Sequence, residues 1–163
     1  MSLNKSLSAR KTADSAIKKI MSFSKDIELR ERYINFFGAL RLGKLLEDLD
    51  LIAGQVAYKH TEGWERGLTI VTAACDRIDL LGDLRSDRDL QFLASINWVG
   101  KSSLEVGIRI SSKEARNWKR VARAYFIMVA RHEGKAETVN SLEPVTKEEK
   151  RRFQHGELRQ QQR

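Results

Sequence analysis

Cysteine occurs once in the 163-residue chain, at Cys75, so no disulfide can form within it, as expected in a reducing compartment. No apolar run approaches the ~20 residues that cross a bilayer, and the first residues lack the apolar stretch of a secretory signal. A soluble intracellular domain is the expectation. Also missing are a glycine-rich phosphate loop ending in Lys-Ser/Thr, His or Cys pairs at metal-ligand spacing, and a GxSxG elbow. Nucleotide hydrolysis, zinc chemistry and serine hydrolysis each lack their parts, and no metal site is expected. Cys75 lies in the run VTAACDRID with no His pairing signature, and reads as a small core residue rather than a nucleophile.

Charge is abundant but unevenly placed. The net charge is +8. Residues 1–25 carry six basic groups against Asp14 and residues 147–163 carry six against three, so the ends hold all of the excess and the middle is neutral. A nucleic-acid-binding face would gather its cations on the folded core, and no such cluster stands out between residues 26 and 146. The basic ends read as solvated tails, as a lure for an anionic ligand, or as an organellar import signal at the N-terminus.

The segment Gly43–His60, GKLLEDLDLIAGQVAYKH, is the most informative. At 100° per residue, Leu42, Leu45, Leu46, Leu49, Ile52, Ala53, Val56 and Ala57 fall on one side of a helix, a stripe wide enough to be buried. Asp50 projects at the margin of that stripe, while Asp48 points to solvent. Asp50 is therefore the carboxylate whose ionised form is expected to be partly desolvated, which makes it the candidate for chemistry.

Around this helix the pattern is extended. Asp14–Phe23 reads as a strand or a short helix, and 26–41 as a short helix followed by a loop at Asn35 and Gly38. Thr69–Leu80 is rich in β-branched residues. In Asp89–Trp98, Leu90, Phe92, Ala94, Ile96 and Trp98 alternate with polar residues; after the turn at Val99–Ser102, Leu104, Val106, Ile108 and Ile110 do the same, so the pair predicts a hairpin with one buried face. Val121–Arg131 is nearly all apolar and suits a strand covered on both sides. The class is α+β, with an antiparallel sheet wrapped about the long helix. The expected organisation is a polar segment at 1–13, one domain at 14–140, and a polar basic tail at 141–163 that is either a short helix or disordered.

Several blocks in order, NFFGALRLGKLLEDLDLIAGQVAYKH (35–60), IVTAACDRIDL (70–80), NWVGKSSLEVGIRI (97–110), AYFIMVAR (124–131) and FQHGELRQQQR near the end, resemble the acyl-CoA thioesterases of the hot-dog fold. The likeness is greatest to one half of the mitochondrial two-domain branch. It implies hydrolysis of fatty acyl-CoA to free acid and CoA, with Asp50 of the Leu49-Asp50 pair as general base or nucleophile. It implies an oxyanion site at the helix N-terminus, near Gly43 and Lys44, where unpaired N–H groups and the helix dipole converge. Asn35 matches the family's loop Asn, although an Asx-turn reading is as good; Thr72 is a possible supporting hydrogen-bond donor. The turn Gly100, Lys101, Ser102 and Ser103 matches a VGRSS-like segment that contacts CoA, and Phe36 and Phe37 are candidates for the acyl-chain surface. The chain departs from the family at Leu51, where a Glu is common, and at Arg41-Leu42-Gly43, where a His and a glycine pair are common. No cofactor is implied, since the CoA thioester is the substrate. Hot-dog domains work in pairs, so at least a homodimer, or pairing with a second half, is expected. A mitochondrial setting follows from the resemblance, with the cytoplasm as the other option. The rival readings are a non-catalytic half-domain that binds acyl-CoA or supports a partner half, and a hydratase, for which His60 lies more than two helical turns from Asp50.

Overall fold

A computed structural model describes residues 7–163. In chain order the elements are β1 (Arg10–Lys11), α1 (Thr12–Ser15), β2 (Ile17–Met21), α2 (Ile27–Tyr33), α3 (Leu42–Thr61) and β3 (Thr69–Leu80). They are followed by β4 (Leu90–Val99), β5 (Ser103–Glu114), β6 (Asn117–His132), β7 (Lys135–Ala136), β8 (Leu142–Glu143) and α4 (Lys147–Gln161). The main sheet runs β2-β4-β5-β6-β3, every neighbouring pair antiparallel, with β7 folded back onto β6. A two-stranded parallel pair, β1 with β8, lies apart from it.

The apolar stripe of the long helix is what the sheet encloses. Leu45, Leu49, Ile52, Ala53, Val56 and Ala57 are all buried, and they share one core with rows that cross the sheet, such as Phe92–Ile110–Ala122 and Ile96–Val106–Phe126. Burying such side chains stabilises the fold by about 1.5–3 kcal/mol each for the larger ones. Leu42, in the first turn, stays 43% exposed, because the sheet does not extend that far along the helix. Asp48 is not free in solvent either: it accepts the Tyr33 hydroxyl at 2.5 Å. Burial and that bond push the Tyr33 hydroxyl up to about 12, and its ring lies under the Lys44 ammonium at 5.1 Å.

Two sequence expectations, for Trp98 and Cys75, are corrected here, and two others are made specific. Asp14–Phe23 is divided between a turn of helix and the short edge strand β2, because Ala16 breaks the helix with an extended backbone. Trp98 does not share the inner face with Leu90, Phe92 and Ile96. A bulge between Ile96 and Trp98 adds a residue and turns Trp98 outward, opposite Glu105. Cys75 is exposed rather than core, since β3 is an edge strand with solvent on most of its length. Phe36 and Phe37 stand in solvent at 97% and 88%, edge to face with each other, because the loop that carries them projects beyond the sheet.

The C-terminal segment is the helix of the two alternatives left open by its composition. Thr146 and Glu149 form a capping box at the start of α4. The helix covers the outer face of the sheet at β4, where Gly156 lies so close to Trp98 that a Cβ there would sit 2.7 Å from the Trp98 Cβ. Its other attachments are ionic. Arg159 grips the fully buried Glu105 through both carboxylate oxygens, at 2.5 and 3.0 Å, and stacks on Tyr125 at 4.1 Å. Arg163 reaches both Glu105 and, in a two-point bond at 2.9 and 3.0 Å, Asp76 on β3.

Candidate active site

Asp50 lies on the second-to-third turn of α3, half-buried at the margin of the core stripe, where its helix passes β3. There Thr72 donates its hydroxyl to Asp50 Oδ1 at 2.6 Å. The register of β3 against β6 slips between Thr72 and Ala74, a bulge at the point where the strand meets the carboxylate. One carboxylate oxygen is thus fixed by a neutral donor while Oδ2 faces away from that bond. Cys75, the nearest thiol in sequence, is a poor nucleophile: partial burial and the carboxylates of Asp76 and Asp50 push its pKa up.

The remaining candidates fall into two further groups. At the start of α3 the N-cap, Arg41, makes no side-chain cap, and no acidic residue lies in the first turn. The N–H groups near Gly43 and Lys44 are therefore of the kind that donate to an anionic oxygen. No atom of another described element lies within 4 Å of where a Gly43 Cβ would be, so the space over this turn is open among the described residues. Asn35, in the loop just before, spends its Oδ1 on the N–H groups of Phe37 and Ala39, at 2.9 and 3.1 Å. That is the Asx-turn role, and it leaves the Nδ2 donor pointing from an exposed loop tip with no acceptor among the described residues. His60 is wholly buried and bonded to the Asn140 carbonyl at 2.9 Å, so it takes no part near Asp50.

The turn at Gly100–Ser103 closes β4 onto β5, with Gly100 N–H bonded to the Ser103 carbonyl at 2.8 Å. Ser103 pairs with Val129, and Val129 with Val71, the neighbour of Thr72. At about 4.8 Å per strand, the turn and Thr72 lie roughly 10 Å apart at the same end of the sheet. Gly43 and Asp50 are likewise separated, by seven residues of helix or about 10 Å. The backbone of the helix N-terminus and that of Asp50 are thus about two turns apart along α3.

The thioesterase superfamily matches residues 37–119, half of the chain, which take in α3 and strands β3 to β5. The chain belongs to that superfamily. Mitochondrial acyl-coenzyme A thioesterase 4 of Humulus lupulus is 35% identical over 88% of this chain, and mitochondrial acyl-coenzyme A thioesterase 9 of Mus musculus is 36% identical over 94%. This chain spans 29% and 37% of those proteins, about a third of their length. Among solved structures, an acyl-CoA hydrolase from Staphylococcus aureus, complexed with butyryl coenzyme A and coenzyme A, superposes with a TM-score of 0.81 at 24% identity, covering 94% of this chain and 89% of its own. An apo-hexameric acyl-CoA thioesterase gives 0.81 at 24%, covering 96% and 95%. The fold is the hot-dog domain, a single one, with α3 as its central helix. No helix among the described residues is long and apolar enough to cross a membrane.

Proposed function

We propose that this domain hydrolyses acyl-CoA to free acid and CoA, at a site shared between two hot-dog domains. The observation that carries the reading is the Thr72–Asp50 bond at the margin of the apolar stripe: a carboxylate held by one oxygen beside a surface suited to an acyl chain. Asp50 takes a proton from water as the oxygen attacks the thioester carbonyl, or attacks that carbon itself. The tetrahedral intermediate collapses by expelling the CoA thiolate, which on the general-base route takes the proton back from Asp50; on the nucleophilic route, water then cleaves the acyl-Asp50 anhydride and supplies the proton that the thiolate takes up. Water and side chains suffice, with no cofactor.

The oxyanion is stabilised by the helix N-terminus near Gly43 and Lys44 and by the Asn35 amide of the second domain, because the same chain's own N-terminus is about 10 Å from Asp50. Three features support the sharing. Among the described residues β3 offers a twelve-residue edge paired only with β6, Phe36 and Phe37 are exposed beside Asn35, and the space over Gly43 is open. The S. aureus hydrolase was also solved with an Asn, an Asp and a Thr each replaced by Ala; the Asn and Asp there have the same separation in sequence as Asn35 and Asp50. Gly100, Lys101, Ser102 and Ser103, at the Thr72 end of the sheet, suit the phosphates or pantetheine of CoA. A mitochondrial setting is supported by the two relatives named above, both mitochondrial.

The test is thiol release from short to long acyl-CoAs by the wild type and Asp50→Ala, with fold and oligomeric state checked. Turnover reduced by about 10²–10⁴ in a variant that stays folded and paired supports the reading. A folded, paired wild type that binds CoA without turnover transfers the case to a supporting half-domain, a reading favoured by the departures from the family pattern at Leu51 and at Leu42-Gly43.

A further inference from the structure

The outer face of the sheet holds a cavity lined with cations. Between α4 and strands β5 and β6 lies a cavity of about 80 Å³ whose walls carry six guanidinium groups. Three of them have fixed carboxylate partners: Arg123 with Asp79 at 2.6 Å, Arg151 with Glu148 at 3.0 Å and Arg159 with Glu105 at 2.5 Å. The other three, Arg109, Arg120 and Arg152, have no ion pair or side-chain hydrogen bond among the described residues. They come from β5, β6 and α4, so the fold alone gathers them.

The gathering is costly as it stands. Arg109 sits directly across the ladder from Arg123, a like-charged pair, and it alternates with the buried Ile108 and Ile110, which root it in the sheet. Burial, then the charges of Arg152 and Arg120, lower the pKa of Arg109. Among the described residues Glu148 is the only carboxylate lining the cavity, and Arg151 already occupies it. A partly open group of cations with a single, committed counter-ion is the arrangement that a multivalent anion completes. Each guanidinium offers a planar fork of N–H donors that matches the oxygens of a phosphoryl group.

We propose that this cavity binds a phosphoryl group, held by Arg109, Arg120 and Arg152, on the side of the sheet away from Asp50. The site uses α4 as its lid, so ligand binding and docking of the C-terminal helix are one event. The phosphoryl group comes either from CoA or from a separate phosphorylated ligand.

The test is calorimetric titration of the full chain with inorganic pyrophosphate at constant ionic strength, independent of turnover. The expected result is saturable binding by the wild type and by an Arg85→Gln control on the surface, weakened about tenfold or more in Arg109→Gln/Arg152→Gln. Removing two repelling charges leaves that variant at least as heat-stable as the wild type, so its loss of binding is not unfolding. Binding that does not saturate, or that is equal in the double variant, overturns the site. Where binding holds, a second titration in saturating CoA separates the sources: competition assigns the phosphoryl group to CoA, and independence assigns it to another ligand.

Discussion

The two faces of the sheet are each covered by a helix, and the two helices adhere by different physics. On the inner face α3 lays down six buried apolar side chains and, among the described residues, no ion pair. On the outer face α4 buries only Gly156 and is fastened by Arg159 and Arg163 to Glu105, Asp76 and Tyr125. The first attachment is non-directional and tolerant of small shifts. The second depends on individual partners, is exposed to salt, and is therefore suited to respond to a ligand.

The largest expected effect is on the inner face. Leu49→Ala, at a position 1% exposed, costs about 2–5 kcal/mol through lost transfer energy and a cavity, read as a lower urea midpoint. Glu105→Ala strands Arg159 and Arg163, but both keep about a fifth of their side chains exposed and can turn to water. Its cost is smaller, about 2 kcal/mol, and amide exchange should show α4 loosened while α3 stays protected. A double replacement, Glu105→Leu with Arg159→Met, should recover most of that loss, since an apolar pair replaces a desolvated one.

Acid separates the faces further. Burial lowers the pKa of His60, at the end of α3, below its usual 6.5 despite the bond to Asn140. The unfolded chain takes up a proton there that the folded chain resists, so stability falls as pH drops below about 6.5, and His60→Gln should flatten that slope. Asp76, held low by its bond to Arg163, adds a second loss only below its ordinary 3.8, seen as release of the α4 end. The smallest expected effect on stability is from Gly43→Ala, within about 0.5 kcal/mol because the space there is open. The same change should lower thioester turnover if substrate approaches that turn.

This contrast also explains what the residues revealed in advance. The inner face was legible because its message is periodic: the helix stripe, the β4–β5 alternation and the continuous β6 each report burial through one repeating property. Asp50 stood out as an exception to such a pattern, and Thr72 came within reach of it because β3 crosses that margin. The outer face has no period to read. Glu105 occupies an outward position that looks solvated, its partners lie more than fifty residues on in a segment resembling a tail, and the bulge that turns Trp98 under that segment leaves no mark in composition. The arginine cavity was hidden for the same reason: a chain whose middle is neutral on average still brings Arg109 and Arg120 together in space with Arg152 of its basic end. Phe36 and Phe37 were legible as apolar but not as exposed, since what covers a loop is decided beyond the chain's own sheet.

The shared site is the central claim, and subunit complementation tests it most directly. Asp50→Ala and Asn35→Ala, each inactive alone, are unfolded together and refolded as a mixture, and acyl-CoA thiol release is measured. With random pairing, half the dimers are mixed and each holds one intact site of two, so about a quarter of wild-type activity should return. A mixture no more active than either parent would place Asp50 and Asn35 in the same chain's site, or outside catalysis, and contradict the account.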